Sequence, residues 1–233
     1  MSRWKMALEA GILKRLVTVL VMSVVWFAML FAAAGRTDWW QAWFYAALTM
    51  ACTIANYVIV ALVNPELIRA RSRVGANVEP FDKVCGALYA LLLFATPVVA
   101  GLDAIRFGWS SFSGTMFYFG AALQVIADVP IVWSMAVNRH LETTVRIQSE
   151  RGHQPVTTGP YAIVRHPMYV GVILQNLAAP LILGSRWSCI PVILISVLFV
   201  VRTSLEDRTL RRELEGYEEF THSTRYRLIP GVW

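Results

Sequence analysis

The residues best equipped for chemistry fall in two short runs. The first is Arg165-His166-Pro167-Met168-Tyr169, preceded by Gly159-Pro160-Tyr161 and followed by Gly171. Pro167 suits the first turn of a helix, because its fixed φ is helical and its missing N–H would be unpaired there anyway. Arg165 and His166 then stand at a helix mouth whose free N–H groups and positive dipole end favour an anion. The second run is Arg202, Glu206 and Asp207. Arg202 and Glu206 are four apart and share a helix face, where an ordinary ion pair contributes about 0.2–0.5 kcal/mol. Taken singly, each residue reads as structural, and the Arg-His-Pro as a membrane helix start with interfacial anchors. Together they form an anion-binding helix end with aromatics and paired acids.

The elements that must position these runs are membrane helices. Of the 233 residues, 57% are hydrophobic and 15% charged. A soluble domain is usually about 45–50% apolar and about 25% charged. Nine Trp and eight Tyr suit a protein with two bilayer interfaces. The net charge of +6 does not point to nucleic acid, because the basic residues flank apolar spans and read as topology signals and anionic-lipid contacts. Cys52, Cys85 and Cys189 show no metal-ligand spacing or disulfide framework. His140, His153, His166 and His222 form no zinc signature, so no metal site is expected.

The fold class expected is all-α: a polytopic integral membrane helical bundle of about six spans. These are Leu16–Ala34, Trp39–Val63, Val84–Leu102, Thr115–Val137, Met168–Leu183 and Ser188–Val201. A cleaved leader at the first is disfavoured, since the apolar run exceeds a typical signal core. The last two are short and read as a tight hairpin that just crosses. Pro97 is expected to kink the third span. Asn138 to Pro167 is a long polar segment of the kind that carries function. Arg202 to Phe220 reads as an amphipathic helix leaving the membrane, and the tail Arg225–Trp233 as an interfacial segment. Of the 21 Lys and Arg residues, only Arg36, Arg106 and Arg186 fall on one side. Both termini and the polar segment are therefore expected to be cytoplasmic. This divides the chain into an N-terminal membrane region, 1–137, and a catalytic region, 138–233. Gln124 and Asp128, inside the fourth span, are further candidates, because polar and ionisable residues within the bilayer are functional by default.

The stretch Gly159-x-Tyr161-x-x-x-Arg165-His166-Pro167-x-Tyr169-x-Gly171, then a hairpin, then Arg202-x-x-x-Glu206-Asp207, resembles the isoprenylcysteine carboxyl methyltransferase family. These are integral-membrane enzymes using S-adenosyl-L-methionine, with S-adenosyl-L-homocysteine as product. The related phospholipid N-methyltransferases share the Arg-His-Pro and paired-acid elements. Asn64-Pro65-Glu66-Leu67 through Asp82-Lys83 looks like prokaryotic members, which implies a bacterial inner membrane with the active site facing the cytoplasm. Eukaryotic prenylcysteine enzymes tend to carry a His near Thr143 or Thr144, and this chain departs from them there.

The resemblance implies that His153, Gln154, Pro155, Val156 and Tyr161 line the cofactor. His166, Pro167, Met168 and Tyr169 would hold its methionine and adenosine parts, and Glu206 would contact it from the C-terminal helix. Gln148 is a further contact reached with a small alignment gap. Asp207 is a contact in the place of the family's second Glu. Arg165 with the helix end suits the cofactor's carboxylate. Arg202 would position the methyl acceptor, a small or lipidic molecule. A carboxylate acceptor is already ionised at neutral pH and needs no general base. The partners expected are the lipid bilayer and that acceptor. The competing expectations are a phospholipid N-methyltransferase-like enzyme and a non-catalytic lipid-binding membrane protein.

Overall fold

The computed structural model describes residues 3–71 and 78–233, and their side chains except those of 3–12, 14 and 15. Arg3, Lys5, Lys14, Arg15 and Arg73, used above in assigning orientation, have side chains outside that description. Among the described residues the fold is all-helical, with no strand. The helices are α1 (Arg3–Ala34), α2 (Trp40–Val63), α3 (Pro65–Arg71), α4 (Pro80–Gly101), α5 (Gly114–Val137), α6 (Pro167–Leu183), α7 (Cys189–Glu213) and α8 (Tyr217–Ser223).

Among the described residues, five stretches are long and apolar enough to cross a membrane: Leu16–Ala34, Trp40–Val63, Pro80–Phe107, Gly114–Val137 and Cys189–Glu213. Their outer faces carry exposed Val, Leu, Ile, Phe and Trp side chains, the pattern of a bundle solvated by lipid rather than water. At 1.5 Å per residue, α6 is only about 26 Å long, slightly less than the hydrocarbon thickness of about 30 Å.

Two expected boundaries move. The third span does not stop at Leu102; it continues through a π-helical turn, Leu102–Phe107. The last span does not end at Val201 before a separate amphipathic helix. Instead α7 runs unbroken to Glu213, because no Gly or Pro interrupts 192–213. Arg211 and Arg212 in its last turn complement the helix dipole. Gly216, at φ 78°, supplies the left-handed residue that turns the chain into α8.

The packing is built on close approach between α5 and α6. A Cβ on Gly171 would lie 2.5 Å from Ile131 Cγ1 and 2.6 Å from the Ala127 carbonyl oxygen. Small residues at helix contacts serve this purpose in membranes. α4 packs on α1 and α7, and α2 on α5. At the end away from the Arg-His-Pro stretch, fully buried Asp103 accepts from Ser110 Oγ (2.6 Å), Ser185 Oγ (2.7 Å) and the Trp187 N–H (3.1 Å). That carboxylate pins the α6–α7 turn to the loop after α4. The close α5–α6 contact makes Gly171→Ala a sensitive probe. It should cost about 1–3 kcal/mol through overpacking, read as a lowered unfolding midpoint in detergent. Gly86→Ala, whose Cβ meets nothing within 4 Å, should leave that midpoint unchanged.

Candidate functional site

The hairpin of α6 and α7 brings the two polar runs to the same end of the bundle. Tyr169, in the first turn of α6, links them directly. Its ring stacks on His166, with centroids 5.7 Å apart and planes 5° apart, and its hydroxyl donates to Glu206 of α7. Around this contact lies a cavity of about 80 Å³, lined by the polar loop, the start of α6 and α7.

Most of the sequence-predicted site residues line this cavity. From the loop come Gln148, His153, Gln154, Pro155, Val156 and Tyr161; from the start of α6, Arg165, His166, Pro167, Met168 and Tyr169; from α7, Arg202 and Glu206. Asp207 does not line it. Its carboxylate faces the other way and accepts from Arg165 Nε (2.7 Å), Arg227 Nε (3.1 Å), Arg211 Nε (3.3 Å) and Tyr217 Oη (3.1 Å). Adjacent helix residues are turned about 100° from each other, so the Glu206-Asp207 pair splits between cavity and interior.

Arg165 is likewise occupied. Besides Asp207, its guanidinium donates to the Thr224 and Arg225 carbonyls at 2.8 and 2.7 Å. Its backbone N–H and that of His166 bond to the Tyr226 and Arg227 carbonyls. The tail is therefore folded onto the Arg-His-Pro stretch. Gln148 lines the cavity while its amide holds the loop: Nε2 donates to the His140 carbonyl (2.6 Å) and Oε1 accepts from Arg151 (2.7 Å). Arg202 donates to Asp82 Oδ1 (2.8 Å) and to the Thr143 carbonyl (3.2 Å), with its guanidinium 5.1 Å from the Tyr169 ring centre. Asp128 faces Asn56 of α2 and is not part of the cavity.

Several lining residues were missed from the sequence: Asn138, His140, Glu142, Thr144, Arg146, Leu210, Leu214, Tyr217 and Phe220. Leu210, Leu214, Tyr217 and Phe220 recur at helical spacing and read as one amphipathic face; Tyr161 packs on that face in the same apolar cluster. Asn138 donates to the Tyr161 hydroxyl at 2.9 Å. Asp82, also missed, accepts from both Arg202 and the Val145 N–H. Polar residues more than sixty positions apart leave no local signal of such pairing.

The loop wall carries a Glu142–Arg146 ion pair beside two imidazoles that are pushed toward their neutral form. His140 and His153 stack with centroids 4.7 Å apart. Burial, followed by neighbouring Arg139 and Arg151, pushes His140 down. Burial, followed by His140 and Arg146, lowers His153 to about 4. Burial also raises the Tyr161 and Tyr217 hydroxyls. The wall thus offers uncharged aromatic faces beside the acidic Glu206.

Comparison with known proteins bears on what such a cavity does. Residues 120–212 match the model of the isoprenylcysteine carboxyl methyltransferase (ICMT) family. Over that stretch the chain is similar to this methyltransferase family. Two relatives, from Oryza sativa subsp. indica and subsp. japonica, are each described as a probable protein-S-isoprenylcysteine O-methyltransferase. Each is 26% identical over 191 residues, covering 78% of this chain and 94% of the relative. The family match includes α6 and nearly all of α7, the elements that carry the site. With the apolar helices, it supports a multi-pass membrane methyltransferase.

Two outcomes follow. Asp207→Asn leaves the Arg165 guanidinium, 2% exposed, without its counter-charge. Breaking a buried pair in this way costs about 3–5 kcal/mol, so the unfolding midpoint should fall sharply, whereas Glu206→Gln should keep it. For His153, the folded pKa lies below the unfolded value of about 6.5. The unfolded chain therefore takes up the proton first, and stability is lost as pH falls from about 6.5 to about 4, then levels. The drop in unfolding midpoint between pH 7 and pH 4.5 should be smaller in His153→Gln than in the parent.

Proposed function

We propose that this chain is an S-adenosyl-L-methionine-dependent methyltransferase of the membrane, methylating a small or lipidic acceptor at a carboxylate. The observation that supports this most is the meeting of His166 and Glu206 across Tyr169 on one cavity. The residues present fit the cofactor. The start of α6 offers the Met168 N–H and a positive dipole end to a carboxylate, its neighbouring N–H groups being bonded within the protein. Glu206 suits an ammonium or ribose hydroxyls. The Tyr161 and Tyr169 rings suit a sulfonium, a contact worth about 0.5–2 kcal/mol. The neutral His140 and His153 faces suit an uncharged heteroaromatic ring. When bound, the cofactor supplies an activated methyl group; the chain's own residues supply orientation and exclusion of water.

The acceptor's route is suggested by a second cavity of about 520 Å³ between α4, α5, α6 and α7. It shares Thr144, Met168, Tyr169 and Arg202 with the first. A lipidic molecule entering sideways from the bilayer would bring its head group to Arg202. Asp82 and the Thr143 carbonyl hold that guanidinium, and N–H groups remain on it for a carboxylate. The pairing of Arg202 with Asp82 also gives weight to a second reading, methylation of an ethanolamine-type amine, because it reduces the net positive charge at the acceptor position.

We further infer a six-span arrangement, with α6 as the short sixth span. Both termini and the cavity would face the cytoplasm, in a bacterial inner membrane. Residues 1–137 would serve as the membrane region and 138–233 as the catalytic region.

Calorimetry of purified protein with S-adenosyl-L-homocysteine should show binding. Glu206→Ala and His166→Ala should each weaken it at least about tenfold, the loss expected for a hydrogen bond to a charged group. A folded parent that does not bind would overturn the proposal in favour of a non-catalytic lipid-binding protein. With radiolabelled cofactor and membrane extract, the product should release volatile methanol under mild base. Base-stable label would instead identify an amine acceptor.

A further inference from the structure

A third cavity, of about 360 Å³, lies within the apolar part of the bundle, where α1, α2, α4, α5 and α6 meet. It shares no lining residue with the cavity around Tyr169 and Glu206. Among the described residues no Asp, Glu, Lys or Arg lines it. Several polar groups at its wall are already bonded within the protein. Trp26 Nε1 donates to the Leu93 carbonyl, Ser23 Oγ to Val19, Thr96 Oγ1 to Leu92, and Asn176 Nδ2 to Val172.

Gln124 is different. It lines this cavity and is fully buried, yet neither Nε2 nor Oε1 has a hydrogen-bond partner. A buried amide left unpaired is unfavourable, and more so where lipid, not water, surrounds the bundle. A single group that both accepts from Nε2 and donates to Oε1 would satisfy both atoms. A hydroxyl or a carboxamide does this; an ester or ketone does not. The absence of a charged lining residue selects against an ionised ligand, since nothing would compensate its charge. Trp26, Phe27 and Leu93 supply the apolar remainder of the wall. Tyr89 and Gln175 are shared with the side-opening cavity, which gives a molecule dissolved in the bilayer a way in.

We propose that this cavity binds an uncharged, mostly apolar molecule bearing one hydroxyl or carboxamide group, held through Gln124. The proposal does not rest on the methyl-transfer reading, because this cavity shares no lining residue with the one around Tyr169 and Glu206. The test uses the full chain in lipid nanodiscs and two photoreactive probes. One is a long-chain alcohol with a mid-chain diazirine; the other is the matching alkane without the hydroxyl. Cross-linked peptides are mapped by mass spectrometry.

The alcohol should label peptides containing Trp26, Tyr89 or Gln175 about tenfold more than the alkane, the discrimination that a paired hydrogen bond supports. Excess unlabelled hexadecanol should remove that labelling, and hexadecane should not. Gln124→Leu should abolish the preference while retaining the parent's unfolding midpoint. If that variant does not fold, competition in the parent carries the test. Equal labelling by alcohol and alkane, or an unchanged preference in folded Gln124→Leu, would overturn the proposal and leave the cavity to water alone.

Discussion

A single buried carboxylate, Asp207, organises the polar end of this molecule. Its two oxygens receive Arg165 from the start of α6, Arg227 from the tail, Arg211 from the next turn of α7, and the Tyr217 hydroxyl from α8. Burying one acid is costly, and an isolated buried ion pair is weak evidence of stability. Here the geometry answers that cost with charge-assisted bonds from several directions. Arg165 in turn gathers the Thr224 and Arg225 carbonyls. Four segments distant in sequence are thus fixed relative to one another by one charge cluster. The consequence for the site is positional. With Asp207 held inward, the helix turns Glu206 outward onto the cavity, opposite the start of α6.

The same logic separates supporting acids from the one left to act. Asp82 joins α4 to α7 through Arg202 and to the polar loop through the Val145 N–H. Asp103 joins the loop after α4 to the α6–α7 turn. Both acids hold elements together, Asp103 through Oδ2 alone. Glu206 accepts from Tyr169 and lines the cavity. On the methyl-transfer reading, Glu206 is the acid placed to meet the cofactor.

The membrane character, the helices and the cavity end of the bundle were legible because each rests on a local pattern. Apolar runs of bilayer length mark the spans. Pro167 marks the start of α6, and the Arg202–Glu206 spacing marks a shared helical face. What failed to show was long-range. Asp207 read as a second ligand contact because it stands in the place of the family's second Glu; nothing local says that Arg165 and Arg227 will surround it. The tail looked interfacial from its Arg, Tyr and Trp content, but backbone pairing of 226–227 with 165–166 has no compositional signature. The continuity of α7 was readable and was obscured by the change from apolar to charged residues at Arg202. That change marks where the surroundings change, not where the helix stops. Residues such as Asn138 and Tyr217 entered the site through tertiary folding alone.

Two cavities of different character also lie on either side of one small wall. The polar loop lines one, while the other, between α4, α5, α6 and α7, is lined mostly by apolar groups. Thr144, Met168, Tyr169 and Arg202 belong to both. A water-soluble donor and a membrane-dissolved acceptor have no common bulk phase in which to meet, so an enzyme joining them must hold its reacting atoms at such a boundary. Tyr169 is constrained there by His166, Glu206 and Arg202, and Arg202 by Asp82. Neither side chain can swing far without breaking contacts that tie helices together. On the methyl-transfer reading, that rigidity is itself useful. Displacement along one line demands that donor and acceptor be aligned to a fraction of an ångström, and side chains already fixed by the fold require little further ordering when both molecules arrive.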